Sequence, residues 1–155
     1  YFIIMKQVIW TLQKFDELTP AELYCILNLR SQVFVVEQNC VYLDTDGRDL
    51  ASSHLCGWLN NQLIAYCRIM PLGLAYDEYA SIGRVVTHPA HRNDGYGKTL
   101  MQKAIKNTYA MYNVESIKIG AQQYLLKFYM ELGFTPIGDP YLEDGIQHIT
   151  MLHSR

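Results

Sequence analysis

The sequence predicts a single α/β domain, and three observations carry that reading. Hydrophobic periodicity alternates between the two-residue repeat of strands and the three- to four-residue repeat of helices, in the order strand, helix, three strands, helix, strand, helix, two strands. Thr19-Pro20-Ala21-Glu22 supplies a complete helix start, with Thr at the N-cap, Pro at the first helical position and Glu at the capping-box position. Arg92-Asn93-Asp94-Gly95-Tyr96-Gly97-Lys98 then sets two glycines and flanking cations directly between a β-branched strand and a helix.

Taken in order, Val8 to Leu12 reads as the first strand, and the helix opening at Thr19 runs to about Phe34. Its buried side comprises Leu23, Ile26, Leu27, Leu29, Val33 and Phe34, interrupted by Arg30, which belongs either at the surface rim or lining a site. Residues 37 to 53 contain Gly47 and scattered acids without a period. They read as a long loop, and long loops in compact domains are often functional. Leu55 to Leu59 and Leu63 to Met70 are strands joined by Asn60-Asn61, a pair that tolerates the positive φ of a tight hairpin turn. Ala80 to Thr87 is the next strand. Beyond the glycine loop, Leu100, Met101, Ala104, Ile105 and Tyr109 mark the buried face of a helix. There follow a strand at Ser116 to Gly120, an amphipathic helix at about Gln122 to Leu132 stopped by Gly133, and strands near Phe134 to Ile137 and Ile146 to Leu152.

No linker or repeat divides residues 1 to 155, which form one domain long enough to bury about 70% of the unfolded surface. Half the residues are apolar and the net charge is −2, so neither a broad polyanion-binding surface nor a nucleic-acid partner is expected. Cys25, Cys40, Cys56 and Cys67 form no Cys-x-x-Cys pair, which argues for a reduced, cytoplasmic compartment and against a zinc or redox centre. His88-Pro89-Ala90-His91 offers two histidines without a third ligand nearby, so no metal is expected. The apolar start Tyr1 to Ile4 is interrupted by Lys6 and is too short for a signal or a membrane span. Met5 is a candidate native start, with residues 1 to 4 then foreign to the native chain.

The glycine loop is an anion cradle. The free N–H groups of the following helix's first turn, and the positive end of its dipole, point into it, and a phosphate fits there. Two nucleotide motifs fail by counting: a Walker A loop ending in Gly97-Lys98-Thr99 needs glycine at position 92, which is Arg92, and a dinucleotide fingerprint needs it at position 100, which is Leu100. The alternative is a strand-to-helix turn with no ligand. Arg-x-x-Gly-x-Gly in this setting resembles the acetyl-CoA loop of the GCN5-related N-acetyltransferase (GNAT) family. A second region, Gly120 through Gly133-Phe134, ends in the Phe-Tyr-x-x-x-Gly-Phe that many such enzymes share, carried here by Phe128 and Tyr129. A closer resemblance covers nearly the whole chain: Phe34-Val35-Val36-Glu37-Gln38-Asn39-Cys40, Asp44-x-Asp46-Gly47, Ile82-Gly83-Arg84-Val85, Gly120-Ala121-Gln122 and Glu143-Asp144-Gly145-Ile146-x-His148-Ile149 look like the ElaA-type branch of the family.

The resemblance implies a mixed central sheet of about six to seven strands flanked by helices, with acetyl-CoA as cosubstrate wedged between two splayed central strands and no metal. Cofactor binding falls to Arg92, Asn93, Asp94, Gly95, Tyr96, Gly97 and Lys98 at the pyrophosphate. Val85, Val86 and Thr87 bind the pantetheine arm through their main chain, and the amide of Val86 or its neighbour, aimed by a bulge, polarises the thioester. Gln122 stands where many members have Asn, and its longer side chain puts its contact with the arm in question. Tyr129 faces the sulfur as general acid; packing is its other reading. Glu37 and His148 are rival bases, each also readable as a structural residue. Asp44, Asp46, Asp49, Glu143 and Asp144 rim the acceptor side, where they suit a cationic amine; their other reading is a solvated acidic loop, and Arg30 and Arg68 either neutralise some of that charge or bind a substrate carboxylate. The function implied is N-acetyl transfer from acetyl-CoA to a primary amine, small molecule, peptide or protein. An idle acyl-CoA-binding or sensor domain and a protein-interaction module remain as alternatives, and an exposed final strand is compatible with a homodimer.

Overall fold

The structure is a computed structural model and describes residues 7–155. The candidate start at Met5 lies outside the described residues. Strands β1 (Ile9–Lys14), β2 (Ser53–Leu59), β3 (Gln62–Met70) and β4 (Ser81–Thr87) form an antiparallel sheet in that order. Strands β5 (Ser116–Gln122), β6 (Phe134–Glu143) and β7 (Ile146–Ser154) form a second one, ordered β5-β7-β6. The two meet in parallel at a bridge between Ala80 and Ile117, where the Lys118 N–H donates to the Ala80 carbonyl at 3.0 Å. Beyond that point β4 and β5 part, which gives the mixed, splayed sheet the resemblance implied.

Helices cover both faces of the sheet. On one face α1 (Pro20–Arg30) and the turn after it lay Ile26, Leu29 and Val33 on Cys56, Leu63, Tyr66 and Val86. On the other, Leu100, Met101 and Ala104 of α2 (Tyr96–Met111) pack on Leu55, Cys67 and Ile69 of the first sheet and Ile117 and Ile119 of the second. Strand β3 therefore buries both faces, and its run from Leu63 to Met70 is continuously buried. The hairpin turn is as expected, with Asn60 at φ 49° and Asn61 at φ 63°. No helix among the described residues is long and apolar enough to cross a membrane.

Three elements differ from the sequence reading in ways that matter for the site. Helix α1 gives way after Arg30 to a wider coil at Ser31–Glu37, where Gln38 and Cys40 donate to carbonyls five residues back, Val33 and Val35. This carries Glu37 and Gln38 round to the sheet opening. Strand β5 extends to Gln122, so the next helix, α3 (Leu126–Glu131), starts late and follows a tight turn at Gln123–Leu125. Strand β6 does not stop at Ile137: Gly138-Asp139-Pro140, which looks like turn chemistry, is accommodated as a bulge, and pairing resumes with Tyr141 opposite His148.

Arg30 is neither at a rim nor lining a site. It is 0% exposed and donates through Nε to Asp44 Oδ2 at 2.8 Å, through Nη1 to Asp49 Oδ1 at 2.7 Å and through Nη2 to the Asp44 carbonyl at 3.1 Å. Arg68 joins from β3, bonding Asp46 at 2.7 and 2.5 Å and Asp49 at 2.9 Å. His54, fully buried, donates from Nε2 to the Asp49 carbonyl at 3.0 Å and accepts from the Tyr66 hydroxyl at 2.7 Å. The long loop is thus tied to the sheet by ion pairs, and Asp44, Asp46 and Asp49 are committed there rather than held ready for a substrate.

These groups set an acid limit. Burial pushes the Asp46 and Asp49 carboxyls up, but hydrogen bonds and charge from Arg68 and Arg30 outweigh it and hold both below the usual carboxylate range. A carboxyl depressed in the folded state contributes stability that is present above its unfolded pKa, about 3.9, and is lost as pH falls towards the folded value. Denaturant melts should accordingly lose stability below about pH 4. Arg30→Ala, which leaves two acids buried without this partner, should cost about 3–5 kcal/mol at pH 7 in the same melts. A loss under about 1 kcal/mol would mean that the loop does not depend on this cluster.

Candidate active site

The parting of β4 and β5 opens a cleft of about 1190 Å³. Its first wall is β4. Between Tyr66–Val86 and Arg68–Gly83 the β3–β4 register slips, because β4 carries one extra residue, and Arg84 sits at the slip with φ 52°. The left-handed region costs a side-chain-bearing residue about 1–2 kcal/mol. Arg84 is held in it by Asp44, which accepts from Arg84 Nε at Oδ1 at 2.8 Å and from Nη2 at its carbonyl at 2.9 Å. After the bulge the ladder resumes, with His88 N–H donating to Ile64 O at 2.7 Å. Antiparallel alternation then commits the Val86 main chain to Tyr66 and turns those of Val85 and Thr87 towards the opening.

The second wall is the glycine loop. Asn93 and Gly95 take φ 69° and 82°, and Gly95 ends the loop as the N-cap of α2 without a side-chain cap. The first main-chain bond back into the turn runs from Thr99 N–H to Gly95 O at 3.2 Å, so the amides of Tyr96, Gly97 and Lys98 have no helical acceptor. Two glycines do different jobs here. A Cβ on Gly95 would meet nothing within 4 Å, so glycine answers the backbone's positive φ, whereas one on Gly97 would make ordinary contact at 3.5 Å with Thr87 Oγ1. Arg92, Asn93, Tyr96 and Lys98 line the cleft with the two glycines; Asp94 does not.

The third wall belongs to α3 and the second sheet. Tyr129 lines the cleft at 5% exposure, its ring edge-on to Phe128 and Phe134. Burial pushes its phenol well above the ordinary value. Gln122 lines the cleft too, but its side-chain amide pairs reciprocally with that of Gln38 at 3.2 Å. His148 faces Gln122 across the β5–β7 ladder and stacks on Tyr141 at 5.8 Å. Its Nδ1 donates to the Ile146 carbonyl at 2.8 Å, which fixes the tautomer and leaves Nε2 as an acceptor, 3.5 Å from Glu143 Oε2.

Glu37 reaches the cleft from the end of the wide coil and accepts two hydrogen bonds from Arg92, that from Nη2 to Oε2 at 2.8 Å. The Arg92 guanidinium holds its carboxyl below the usual range. Both side chains are about 40% exposed, so the pair contributes at most about 1 kcal/mol. Among the described residues, no cluster of three or more His, Cys, Asp or Glu is placed to hold a metal. His88 instead caps the turn at Pro89–His91, accepting from Ala90 N–H at 3.1 Å.

Sequence reasoning missed Tyr76 and Tyr141, which also line the cleft. Tyr141 was hidden by the bulge at Gly138-Asp139-Pro140, and Tyr76 lies in a connecting segment without period. Alternation from His148 through its β6 neighbour is the signal that would have placed Tyr141.

The family model for the acetyltransferase (GNAT) domain matches residues 59–154. Protein ElaA of Escherichia coli is 41% identical over 138 residues, 88% of this chain and 90% of that one. Its crystal structure superposes with a TM-score of 0.89 over 96% of this chain and 100% of that one. An acyl-CoA N-acyltransferase from Pseudomonas aeruginosa, 37% identical, matches with the same TM-score of 0.89 and the same coverage. An aminoglycoside 6′-N-acetyltransferase complexed with coenzyme A shares the fold at a TM-score of 0.70 and 13% identity, covering 93% of this chain and 96% of that one.

The two glycines should separate in stability measurements made without any ligand. Gly95→Ala should destabilise by about 1–2 kcal/mol through its backbone alone. Gly97→Ala, in helical conformation with room for the methyl group, should be neutral or stabilising by up to about 1 kcal/mol. Equal effects on the melting midpoint would refute the division.

Proposed function

The chain belongs to the GNAT acetyltransferase family, in its ElaA-like branch, and on that premise we propose that it transfers an acetyl group from acetyl-CoA to a primary amine by direct attack on the thioester. The observation that carries this reading is one cleft that joins an open strand edge, an uncapped helix N-terminus and two side chains suited to moving protons. The residues fit the cosubstrate chemically. The unbonded amides of Tyr96, Gly97 and Lys98 suit a pyrophosphate, with charge added by Lys98 and, once it turns from Glu37, by Arg92. The open main-chain groups of Val85 and Thr87 offer a pantetheine arm the pairing a further strand would make. Coenzyme A is bound by the aminoglycoside acetyltransferase of the same fold.

When bound, acetyl-CoA supplies the activated acyl group. The Val85 amide, next to the Arg84 bulge and turned to the opening, polarises the carbonyl oxygen that becomes negative; Val86, committed to Tyr66, does not. Tyr129 gives the leaving thiolate its proton, and because its phenol is raised by burial it stays protonated through and above neutral pH. His148 is the base. Its Nε2 is presented as an acceptor, and on taking a proton it finds the Glu143 carboxylate 3.5 Å away. Glu37 is the weaker base, since its ion pair with Arg92 favours the ionised form; its part is to close the mouth of the cleft. Gln122 holds that mouth through Gln38.

Calorimetric titration with acetyl-CoA and with 3′-dephospho-CoA tests the premise: saturable one-to-one binding is expected, and no binding would overturn it. Tyr129→Phe should then lower kcat about 100-fold while the Kd for acetyl-CoA stays within about twofold. Equal losses in both would remove Tyr129 from the acid role.

A further inference from the structure

The face of the second sheet that turns into the cleft is built around a missing side chain. Gly120, Gln122, His148 and Tyr141 share that face by the pairing of β5, β7 and β6. A Cβ on Gly120 would lie 2.7 Å from the Tyr141 hydroxyl and 3.5 Å from the Tyr76 hydroxyl, so two phenols from different segments converge over one glycine. Tyr141 stacks on His148, the base assigned above.

The charges left over near this point are of both signs. Asp44, Asp46 and Asp49 are balanced by Arg30, Arg68 and Arg84 and exert little net field. Among the described residues, Arg48, Lys98 and Asp144 line the cleft without an ion-pair partner within 4.0 Å, Lys98 on the glycine loop and Asp144 next to Glu143, which stands 3.5 Å from His148. The Tyr76 phenol, which lines the same cleft, is raised above its ordinary value by burial and by Tyr141 and Glu143, while Arg48 pulls it down. An amine carrying no other charge would leave Arg48 facing a ligand with nothing to offer it.

We infer that the pocket over Gly120 is the acceptor subsite, and that it takes a small amine that also bears a carboxylate, in the manner of a free amino acid. The ammonium end lies against Tyr141, Glu143 and the acceptor nitrogen of His148; the carboxylate end lies towards Arg48. This rests on the acetyl-transfer reading given above. It adds the substrate class, and it assigns Gly120, Tyr76, Tyr141 and Arg48 to specificity.

The test is acetyl-CoA-dependent thiol release with each standard amino acid alongside its carboxamide. The comparison is stringent because intrinsic reactivity runs the other way: an α-amino group without the neighbouring carboxylate has a pKa near 8 and is neutral more often at pH 7.5. The expected result is at least tenfold higher kcat/KM for one or more free acids than for their carboxamides, and a tenfold or greater collapse of that ratio in Arg48→Gln. Gly120→Ala should raise the amine KM at least tenfold with the Kd for acetyl-CoA unchanged, and circular dichroism establishes that each variant is folded. Carboxamides used as well as or better than the acids, a ratio indifferent to Arg48→Gln, or turnover of none of the amino acids by protein that binds acetyl-CoA would overturn the inference. Failure to bind acetyl-CoA at all would instead strike the acetyl-transfer reading on which it stands.

Discussion

Asp44 holds the molecule's working geometry together. One carboxylate and its own carbonyl receive Arg30 from the first helix and Arg84 from the central strand, while the Tyr42 hydroxyl donates to Oδ1 at 2.8 Å. Charges this well buried seldom add stability beyond what an apolar core of the same volume would provide, because desolvation consumes most of their attraction. Their value lies in direction. Two hydrogen bonds to Asp44 keep Arg84 in a backbone region a side chain avoids, and that residue is the hinge on which β4 turns its next amide out of the sheet and into the cleft.

The cleft follows from the same economy of pairing. Antiparallel pairing completes each half of the sheet, but β4 and β5 run parallel and the two halves are joined by a main-chain bridge at Ala80 and Ile117. An open edge inside a domain would ordinarily be a liability, with main-chain groups left dry. Here polar closures at its mouth, Glu37 with Arg92 and Gln38 with Gln122, span the gap from the coil after α1. They are exposed or neutral contacts worth little each, so they can yield to a ligand that offers the strand edge better bonds. The wide coil at Ser31–Glu37 is what makes this reach possible; a regular helix ending at Phe34 would not carry Glu37 and Gln38 round in the same way.

Much of this was legible in the sequence, and the parts that were not share a cause. Local signals were reliable: the capping box at Thr19 and Glu22, the asparagine turn of the hairpin, and the glycine loop ahead of α2 all appear as read. Val85, Val86, Thr87, Arg92, Asn93, Gly95, Tyr96, Gly97 and Lys98 line the cleft, as do Tyr129, Gln122, Glu37 and His148, whereas Asp94 does not. Non-local commitments were invisible. Nothing in the spacing of Arg30 says that it will be fully buried against acids 14 and 19 residues away. Nor does Gly138-Asp139-Pro140 announce that a strand will continue beyond it, which it does because β7 still offers a partner for Tyr141.

The same distinction explains why acids scattered along a loop are a poor guide to what a site binds. Counted along the chain, Asp44, Asp46, Asp49, Glu143 and Asp144 suggest an anionic rim. In space the first three are spent on arginines, while Glu143 and Asp144, on the β6–β7 turn, line the cleft. The field a ligand meets is set by what is left over from such pairing, which in this cleft is Glu143 beside His148 together with Asp144, Arg48 and Lys98. Asp46, Arg68 and Arg84 line the cleft as well, but as members of ion pairs whose charges largely cancel, so an acid counted along the chain tells a ligand's surroundings only after its partner has been found.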